Sequence, residues 1–489
     1  MQGKVYLVGA GPGDIGLLTI KAKELLQTAD VIVYDALVGD SILATIDSNK
    51  RCINVGKRAA HHIMQQEDTN KLLLDEALKG NKVVRLKGGD PFLFGRGGEE
   101  LELLVKHKID FEVVPGVTSA ISGPAYNGIP VTHRDYCSSI HIITGHKKQD
   151  EPLDMNFEAL VKLNGTLIFL MGISSLEQIT TGLIKAGMDK DMPAAVLQQA
   201  TTSHQKKVVA TISTLREAVV NQAIRTPAII VVGKVCKLSN DLDWYSKLPL
   251  FGYKVAVSTS TSNVSKTATK LRKLGAEVIE LPSITTTIIE QNRAFTDALR
   301  LKMDWIAFTS PQGVESFFYN LEKHQKDIRT FKYVKFAVVG PSTKAALAKR
   351  GIIADLMPDI YDGASLAKAL KEQNNILLFR ATKADNEIVD MLSHTTVYDI
   401  PMYDTHFTSF PIIVDDIDCI VFTSASSVEG FVNNTKWGTY SEYKCACIGE
   451  KTKECADKYG FKTYVAKEAT IDELVQLVID IKERTDETS

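Results

Sequence analysis

The feature that most constrains the fold is the alternation of short apolar runs with segments of helical periodicity along the whole chain. In the first half, the predicted strands are Val5–Val8, Val31–Tyr34, Val83–Leu86, Phe111–Val114, Ile140–Thr144, Thr166–Met171, Ala194–Gln198 and Ala228–Val232. The predicted helices between them include Ile20–Gln27, Thr69–Lys79 and Glu99–Lys106. Because this alternation is typical of strand–helix–strand units, it predicts an α/β fold with parallel sheets.

Length and composition narrow the class of protein further. The 489 residues exceed what one hydrophobic core can hold, and the net charge of −2, spread over interspersed acids and bases, argues against nucleic-acid binding. The start of the chain does not resemble a signal peptide, and no apolar run approaches the roughly 20 residues of a membrane helix. The seven scattered cysteines indicate reduced thiols. We therefore expect a cytoplasmic protein with neither a nucleic-acid nor a membrane partner.

The cysteine pair Cys445 and Cys447 raises the question of a metal site. The two lie in the strand-like run Lys444–Ile448, and no second pair of Cys or His follows at ligand spacing. A structural role is favoured over a zinc site, and we expect no metal.

The polar segment Ser239–Gly252 interrupts the strand–helix pattern and marks a domain boundary. We predict a first domain at 1–240 with lobes of about 1–115 and 116–240, a linker at 241–252, and a second domain at 253–489.

The second half contains an internal repeat. Phe308–Val314 returns as Phe422–Val428, and Val338–Thr343 returns as Cys447–Thr452. The repeating unit is about a hundred residues long, too long for a solenoid, so it predicts two duplicated α/β lobes that enclose a cleft.

Glycine-rich loops follow three strands of the first half. Val8–Asp14 partly fits a dinucleotide-binding loop, but Asp14 replaces its third glycine and Pro12 interrupts the expected helix start, so a nicotinamide cofactor is disfavoured. Val83–Glu100 and Val114–Ala120 place further glycines beside charged residues at strand ends. Open α/β sheets bind ligands at this edge.

These loops resemble those of uroporphyrinogen-III C-methyltransferases, and the resemblance covers residues 1–240. It is also carried by Val33–Asp35, Gly56–Arg58, Gly128–Arg134 and Met171–Gly172. The resemblance implies two α/β lobes with S-adenosylmethionine in the cleft between them, and a homodimer formed through this half. By the same resemblance, the cofactor would be held by Pro12, Gly88, Gly89, Asp90, Leu93, Thr118, Ser119, Met171 and the backbone at Ala200, where the family usually has glycine.

The resemblance leaves two proposals open for the proton that the methylated ring must lose. Asp35 and Lys57 match a proton acceptor and donor, whereas Arg96, Glu99 and Arg134 match a cluster that binds the macrocycle and assists proton removal. The substrate carries eight carboxylates, so clustered cations are needed. The candidates are Lys57, Arg58, Arg96, His133 and Arg134.

The second half offers hydroxyl groups at strand ends, and these can cap helices or receive carboxylates. They are Ser310, Ser342, Thr343, Thr423, Ser424 and Thr452. Together with Pro401–Thr405 and Ile448–Thr452, this half resembles uroporphyrinogen-III synthases. The resemblance implies a lobe A of about 253–285 plus 403–489 and a lobe B of about 286–400. Tyr403 would assist loss of the substrate hydroxyl, with a core tyrosine as the alternative.

Together these expectations describe a bifunctional enzyme of tetrapyrrole biosynthesis. The second half would cyclise hydroxymethylbilane to uroporphyrinogen III, and the first would methylate that product twice to precorrin-2. The alternative is a methyltransferase of a later precorrin with a non-catalytic synthase-like binding module.

Overall fold

The computed structural model describes residues 2–56, 65–145, 155–260, 265–290, 292–409, 416–436 and 439–486. Its strands are β1 (Lys4–Gly9), β2 (Val31–Tyr34), β3 (Arg51–Asn54), β4 (Lys82–Lys87), β5 (Asp110–Val114), β6 (Ile140–Thr144), β7 (Thr166–Leu170), β8 (Pro193–Gln198), β9 (Lys206–Thr211), β10 (Ala228–Val232), β11 (Lys254–Ser260), β12 (Glu277–Ile288), β13 (Trp305–Phe308), β14 (Lys335–Val338), β15 (Ile376–Ala381), β16 (Val397–Phe407), β17 (Cys419–Phe422), β18 (Lys444–Cys447) and β19 (Lys462–Val465).

The α-helices alternate with these strands. They are α1 (Ile20–Thr28), α2 (Asp40–Leu43), α3 (Gln66–Leu78), α4 (Gly97–Lys106), α5 (Ser119–Tyr126), α6 (Phe157–Lys162), α7 (Leu176–Lys185), α8 (Leu215–Asn221), α9 (Lys266–Lys273), α10 (Arg293–Ala298), α11 (Pro311–Lys323), α12 (Pro341–Lys349), α13 (Gly363–Leu370), α14 (Glu387–Met391), α15 (Ala425–Thr435), α16 (Glu450–Asp457) and α17 (Ile471–Asp486). None of the described helices is long and apolar enough to span a bilayer. The α/β class predicted from the sequence is confirmed.

The first sheet is fully parallel and has the order β3-β2-β4-β1-β5. Apart from the charged residues of β4, its central strands are apolar on both faces, and each face carries its own buried cluster, one around Val8 and Ile32 and the other around Leu7 and Val33. Burial on both faces explains why these strands are continuous apolar runs. Because the strands run parallel, the carboxyl ends of β1, β4 and β5 lie at one edge of the sheet.

The second sheet has the order β6-β7-β10-β8-β9 and is mixed. Only β6 and β7 pair in parallel, whereas β10 runs antiparallel to both β7 and β8, and β8 and β9 form an antiparallel pair. This departs from the parallel sheet expected from the strand–helix alternation. The reason is that β9 follows β8 after a short loop, Gln199–Gln205, instead of a helix.

The third sheet has nine strands in the order β14-β13-β15-β16-β12-β11-β17-β18-β19. The internal repeat corresponds to β13–α11 with β14–α12, and to β17–α15 with β18–α16. Two long strands connect the repeats. β12 pairs in parallel with β11 and antiparallel with β16, where Ile284–Ile288 lies opposite Tyr403–Phe407.

The segment between the two predicted domains is packed against the first one. The indole Nε1 of Trp244 donates a hydrogen bond to the Ala125 carbonyl over 3.0 Å, and the ring of Tyr245 lies 4.7 Å from that of Tyr126. Tyr245 is only 6% exposed. The chain therefore leaves the second sheet along a fixed path rather than through a loose linker.

Candidate active sites

Three loops of the first sheet converge at the carboxyl ends of β1, β4 and β5. Gly11 and Gly89 exchange backbone hydrogen bonds of 3.2 and 2.7 Å. A Cβ added at Gly116 would lie 2.2 Å from the Gly89 carbonyl oxygen, and one at Gly9 would lie 2.5 Å from Gly116 Cα. Only glycine permits this approach, so these glycines are explained by the meeting of the loops.

Asp90 ties two of these loops together. Its Oδ1 accepts hydrogen bonds from the backbone N–H groups of Phe92 (2.9 Å) and Leu93 (3.1 Å), and its Oδ2 accepts one from Gly116 N–H (3.1 Å). Gly89, just before it, has a φ of +67° and open space where a side chain would be. The carboxylate thus fixes the loops, and the half-buried Gly89 leaves open space beside its Cα for a ligand.

The other predicted cofactor residues lie in the loop after β4, at the start of α5 and in the loop after β8. Thr118 caps α5 by accepting a hydrogen bond from Ala120 N–H (3.2 Å), and Ser119 is the first residue of that helix. Leu93 packs against the apolar cluster of the second lobe that contains Ile229. A Cβ added at Gly123 of α5 would lie 3.6 Å from Ala200 Cβ. The structure therefore brings α5 close to the loop that carries Ala200.

Met171 and Pro12 complete the predicted cofactor set. Met171 follows β7 with a φ of +55° and has an exposed fraction of 49%, so its side chain projects from the end of the sheet. Pro12 lies in the half-buried loop after β1. The predicted cofactor residues lie in loops at the ends of the strands, where an α/β protein binds ligands.

Asp35 is connected to a buried network of charges. Its carboxylate lies 3.5 Å from the guanidinium of Arg85. Glu100 Oε1 accepts hydrogen bonds from Arg85 Nε (3.1 Å), Lys87 Nζ (2.8 Å) and Gln66 Nε2 (3.2 Å). Burial and then the neighbouring charge of Arg85 lower the pKa of Lys87. The network holds Asp35 at the end of β2.

The predicted cationic residues divide into two loops. Arg96, with a φ of +58°, makes a two-pronged ion pair with Glu99, of which the Nε–Oε1 distance is 2.9 Å. This pairing raises the pKa of Arg96. Arg134 is exposed in the turn His133–Cys137, whose His133 Nδ1 accepts a hydrogen bond from Asp135 N–H over 3.2 Å. No contact of the described residues joins Arg134 to the Arg96–Glu99 pair.

Two further predicted residues, Lys57 and Arg58, lie outside the described residues. The choice between Asp35 with Lys57 and the Arg96, Glu99 and Arg134 group as the proton-handling residues therefore stays open.

In the second domain, Tyr403 and Ser310 are joined directly. The Tyr403 hydroxyl lies 2.9 Å from Ser310 Oγ, which also accepts a hydrogen bond from Gly313 N–H (3.0 Å) at the start of α11. Tyr403 is 8% exposed, and burial raises the pKa of its phenol. Tyr403 therefore packs in the core while its hydroxyl reaches the N-terminus of α11, and its role in the loss of the substrate hydroxyl stays a prediction.

The other predicted hydroxyl groups differ in exposure. Ser342 and Thr423 are exposed, and Ser424 caps α15 by accepting a hydrogen bond from Ser427 N–H over 3.1 Å. Thr343 is fully buried and Thr452 is 4% exposed. Neither side chain is at the surface of the structure, and substrate binding by these two hydroxyls stays a prediction.

Sequence reasoning missed several residues that shape these sites. Glu100 and Arg85 were not selected, although charged residues inside the apolar strand β4 indicate a buried ion pair. Lys451 of α16 was also missed, and its Nζ forms ion pairs with Asp385 (3.0 Å) and Glu387. These pairs connect α16 in one lobe of the second domain to α14 and the residues before it in the other lobe, across the long strands β12 and β16.

The fold combines α/β sheets in two regions, the first with glycine-rich loops at the ends of its strands and the second made of duplicated lobes. Sequence models of known families match both: tetrapyrrole (corrin/porphyrin) methylases over residues 4–216, and uroporphyrinogen-III synthase HemD over residues 265–476.

Two similar proteins align with most of the chain, and a solved structure aligns with about half of it. A porphyrin biosynthesis protein HemD of Ruminiclostridium josui is 44% identical, covering 98% of this chain and 98% of its own. A uroporphyrinogen-III C-methyltransferase of Bacillus subtilis is 40% identical over 73% of this chain and 74% of its own. A crystal structure of uroporphyrin-III C-methyl transferase from Thermus thermophilus, complexed with S-adenyl homocysteine, is 37% identical, covers 48% of this chain and 99% of its own, and has a TM-score of 0.42.

The chain belongs to the family of porphyrin biosynthesis proteins in which a tetrapyrrole methylase domain precedes a uroporphyrinogen-III synthase domain. The resemblance of each half, inferred from its motifs, is thereby confirmed. The protein is a bifunctional enzyme of tetrapyrrole biosynthesis, with methyltransferase and synthase domains.

Proposed function

We propose that the second domain cyclises hydroxymethylbilane to uroporphyrinogen III, and that the first domain transfers two methyl groups from S-adenosylmethionine to that product, giving precorrin-2. The observation that carries the proposal is the convergence of the loops after β1, β4 and β5 around Asp90, beside α5 and the Ala200 loop. The Bacillus subtilis relative, named for the methylation of uroporphyrinogen III, supports the choice of substrate.

The residues of the cleft fit S-adenosylmethionine. The open space at Gly89 admits a ligand against the backbone, and hydroxyl and amide groups at Thr118 and Ser119 can bind its polar parts. The exposed Met171 offers an apolar side chain at the end of β7 in the second sheet. When bound, the cofactor supplies an electrophilic methyl group on a sulfonium, and the loops orient it towards the acceptor ring. Orientation of this kind is worth roughly 7–11 kcal/mol in well-aligned reactions.

The acceptor carries carboxylates that need cationic partners. Arg134 is exposed and can bind a carboxylate through two N–H groups, which lysine cannot do. Arg96 must exchange its partner Glu99 for a substrate carboxylate, or bind it with the nitrogens left over. We propose that Lys57, Arg58 and His133 add to this seat. The ring proton is taken either by Asp35, held by Arg85 and with Lys57 as proton donor, or with the help of the cluster of Arg96, Glu99 and Arg134.

The synthase reaction needs an acid for the departing hydroxyl and a fixed curled substrate. Tyr403 is the proposed acid, because its phenol is neutral and its hydroxyl already makes a hydrogen bond with Ser310. Ser342, Thr423 and Ser424 would receive substrate carboxylates at the starts of helices. The dimer through the first domain and the cytoplasmic location remain proposals based on the family resemblance.

A two-stage assay tests the proposal. Purified protein is first supplied with hydroxymethylbilane alone, and the uroporphyrinogen isomers are separated; we expect isomer III. S-adenosylmethionine with a labelled methyl group is then added, and we expect two labelled methyl groups per macrocycle. If only isomer I forms while added uroporphyrinogen III is methylated, the second domain is a binding module. If neither uroporphyrinogen isomer accepts label but a later precorrin does, the alternative methyltransferase is correct.

A further inference from the structure

The synthase domain contacts the loop that carries Ala200. Glu277, the first residue of β12, accepts two hydrogen bonds on Oε2, from the backbone N–H and the Oγ of Ser203, both 2.7 Å long. Glu277 and Ser203 are both partly buried. A carboxylate that accepts two donors at this distance from one residue fixes the position of that residue.

The Ala200 loop needs such support because its backbone is strained. Gln199 and Thr201, on either side of Ala200, have φ angles of +40° and +75°. Residues other than glycine adopt positive φ angles only where surrounding contacts hold them there. If those contacts are lost, the loop can relax to a less strained conformation. Inside the first domain, Gln205 contributes a hydrogen bond from Thr201 N–H to its Oε1 (2.8 Å). Glu277 supplies two more bonds from outside.

The loop after β1 is connected to the same contact. Asp14 N–H donates a hydrogen bond to Thr201 Oγ1 over 3.2 Å, and a Cβ added at Gly13 would lie 2.8 Å from Thr202 Cγ2. A small cavity between the domains is lined by Asp14 and Thr201 from the first and by Glu277 from the second. A shift of the Ala200 loop would therefore be transmitted to the loop that carries Pro12.

An ion pair also crosses between the domains, beside the Glu277–Ser203 contact. Lys254, the register partner of Glu277 on β11, places its Nζ 3.1 Å from Asp40 Oδ2 at the start of α2, with Lys254 5% exposed. Ser41, the next residue of α2, donates a hydrogen bond from its Oγ to the Gly13 carbonyl over 3.2 Å. Neighbouring ends of β11 and β12 therefore brace both loops of the proposed cofactor site.

We propose that Glu277 of the synthase domain is a positioning residue for the methyltransferase, which holds the Ala200 loop in the conformation that binds S-adenosylmethionine. The inference rests on the proposed function, since it assigns the Ala200 loop to the cofactor. It makes methyl-donor affinity depend on a residue of the other enzyme. Loss of Glu277 lowers the fraction of molecules whose Ala200 loop is in the binding conformation. The apparent dissociation constant for S-adenosylmethionine rises in inverse proportion to that fraction.

The test uses the full chain with the variants Glu277→Ala and Glu277→Gln. The control is Glu290→Ala, which removes an exposed carboxylate that pairs with Lys323 and Tyr319 away from the domain contact. S-adenosylmethionine affinity is measured by calorimetry, and the methyl transfer rate is measured over a range of donor concentrations. Hydroxymethylbilane cyclisation is measured as a check on the synthase domain.

We expect Glu277→Ala to raise the dissociation constant and the KM for S-adenosylmethionine about tenfold, with kcat at saturating donor within about twofold of the original, because bound donor restores the loop. Glu277→Gln keeps an acceptor oxygen, so we expect it to recover most of the affinity. Cyclisation and the Glu290→Ala control should be unchanged. A merely structural role for Glu277 would instead lower kcat and cyclisation together, without rescue by glutamine.

Donor affinity that is the same in Glu277→Ala and the original protein overturns the inference and leaves the proposed function intact. An original protein that binds no S-adenosylmethionine removes the proposed function and this inference with it. If Glu277→Ala also loses cyclisation, the decision passes to Ser203→Ala, which removes one of the two donors and leaves the carboxylate in place. Affinity in Ser203→Ala equal to that of the original protein would then contradict the inference.

Discussion

Oδ2 of Asp90 lies 3.1 Å from the backbone nitrogen of Gly116, and this hydrogen bond joins the loop after β4 to the loop after β5. The same carboxylate receives the N–H groups of Phe92 and Leu93 on its other oxygen. Three backbone donors thus converge on one side chain at the edge of the first sheet. In the proposed cofactor cleft, Asp90 is the side chain that joins the loop after β4 to the loop after β5.

Asp90→Ala should therefore weaken S-adenosylmethionine binding by about tenfold or more, because up to three N–H groups lose a charged acceptor worth about 1.5–3 kcal/mol per bond. Calorimetry with S-adenosylmethionine measures the change. Asp47→Ala is the matched control, since Asp47 Oδ1 also accepts a bond from a nearby backbone N–H, that of Asn49 at 2.9 Å, but in an exposed turn. Equal affinity in the two variants would remove Asp90 from the site.

Glu100→Gln should destabilise the first domain by about 3 kcal/mol, because it leaves the buried cations Arg85 and Lys87 without their shared anion. Urea unfolding measures the change, and Glu102→Gln, on the exposed face of α4, is the control. The pKa of Lys87 is already below 10.5 because of burial and Arg85. Between the lowered pKa of Lys87 and pH 10.5, the folded variant binds fewer protons than the unfolded chain. Its loss of unfolding free energy, relative to the original protein, should therefore shrink as the pH rises towards 10.5. A pH-independent deficit would contradict this account.

The sequence was sufficient to predict the glycine loops of the first site but not the direction of every strand. Gly9, Gly89 and Gly116 are required by the close approach of backbones, and their positions after apolar runs indicate the binding edge. Strand direction leaves no such mark. β8 and β10 are buried apolar strands whose sequences do not indicate whether they run parallel or antiparallel. β9, with two lysines and an exposed Val209, lacks such an apolar run and is not among the predicted strands.

Contacts between distant residues were equally invisible in the sequence. Ser203 and Glu277 are 74 positions apart and belong to different domains, and neither stands in a recognisable motif. Thr343 and Thr452 occupy equivalent places in the repeat, each near the start of a helix. Their side chains are nevertheless buried. The pattern located the helix starts, whereas the rotation of each helix decides which hydroxyl faces the cleft.

Arg134→Ala should raise the KM for the tetrapyrrole about tenfold while the affinity for S-adenosylmethionine changes by less than about twofold, because an exposed arginine that binds a carboxylate contributes modestly and does not touch the cofactor loops. Methylation kinetics over a range of tetrapyrrole concentrations and donor calorimetry separate the two effects. Arg216→Ala, which removes the exposed partner of Glu177, controls for loss of surface charge. Matched losses for both ligands would place Arg134 outside the macrocycle seat.

Tyr403→Phe should slow hydroxymethylbilane cyclisation about a hundredfold, since general acid catalysis typically contributes at least that factor. Folding should lose only about 1 kcal/mol, because Ser310 keeps its bond from Gly313 N–H when the phenol is gone. Burial raises the pKa of Tyr403 above 10.0, so the phenol is neutral at the pH of the assay and the cyclisation rate should show no tyrosine inflection below about pH 10. Tyr440→Phe, which removes a buried hydroxyl 3.0 Å from Thr435 Oγ1 in the other lobe, is the control, and it should cyclise normally. If Tyr403→Phe cyclises at the control rate, Tyr403 is a core residue whose hydroxyl only supports the cap of α11.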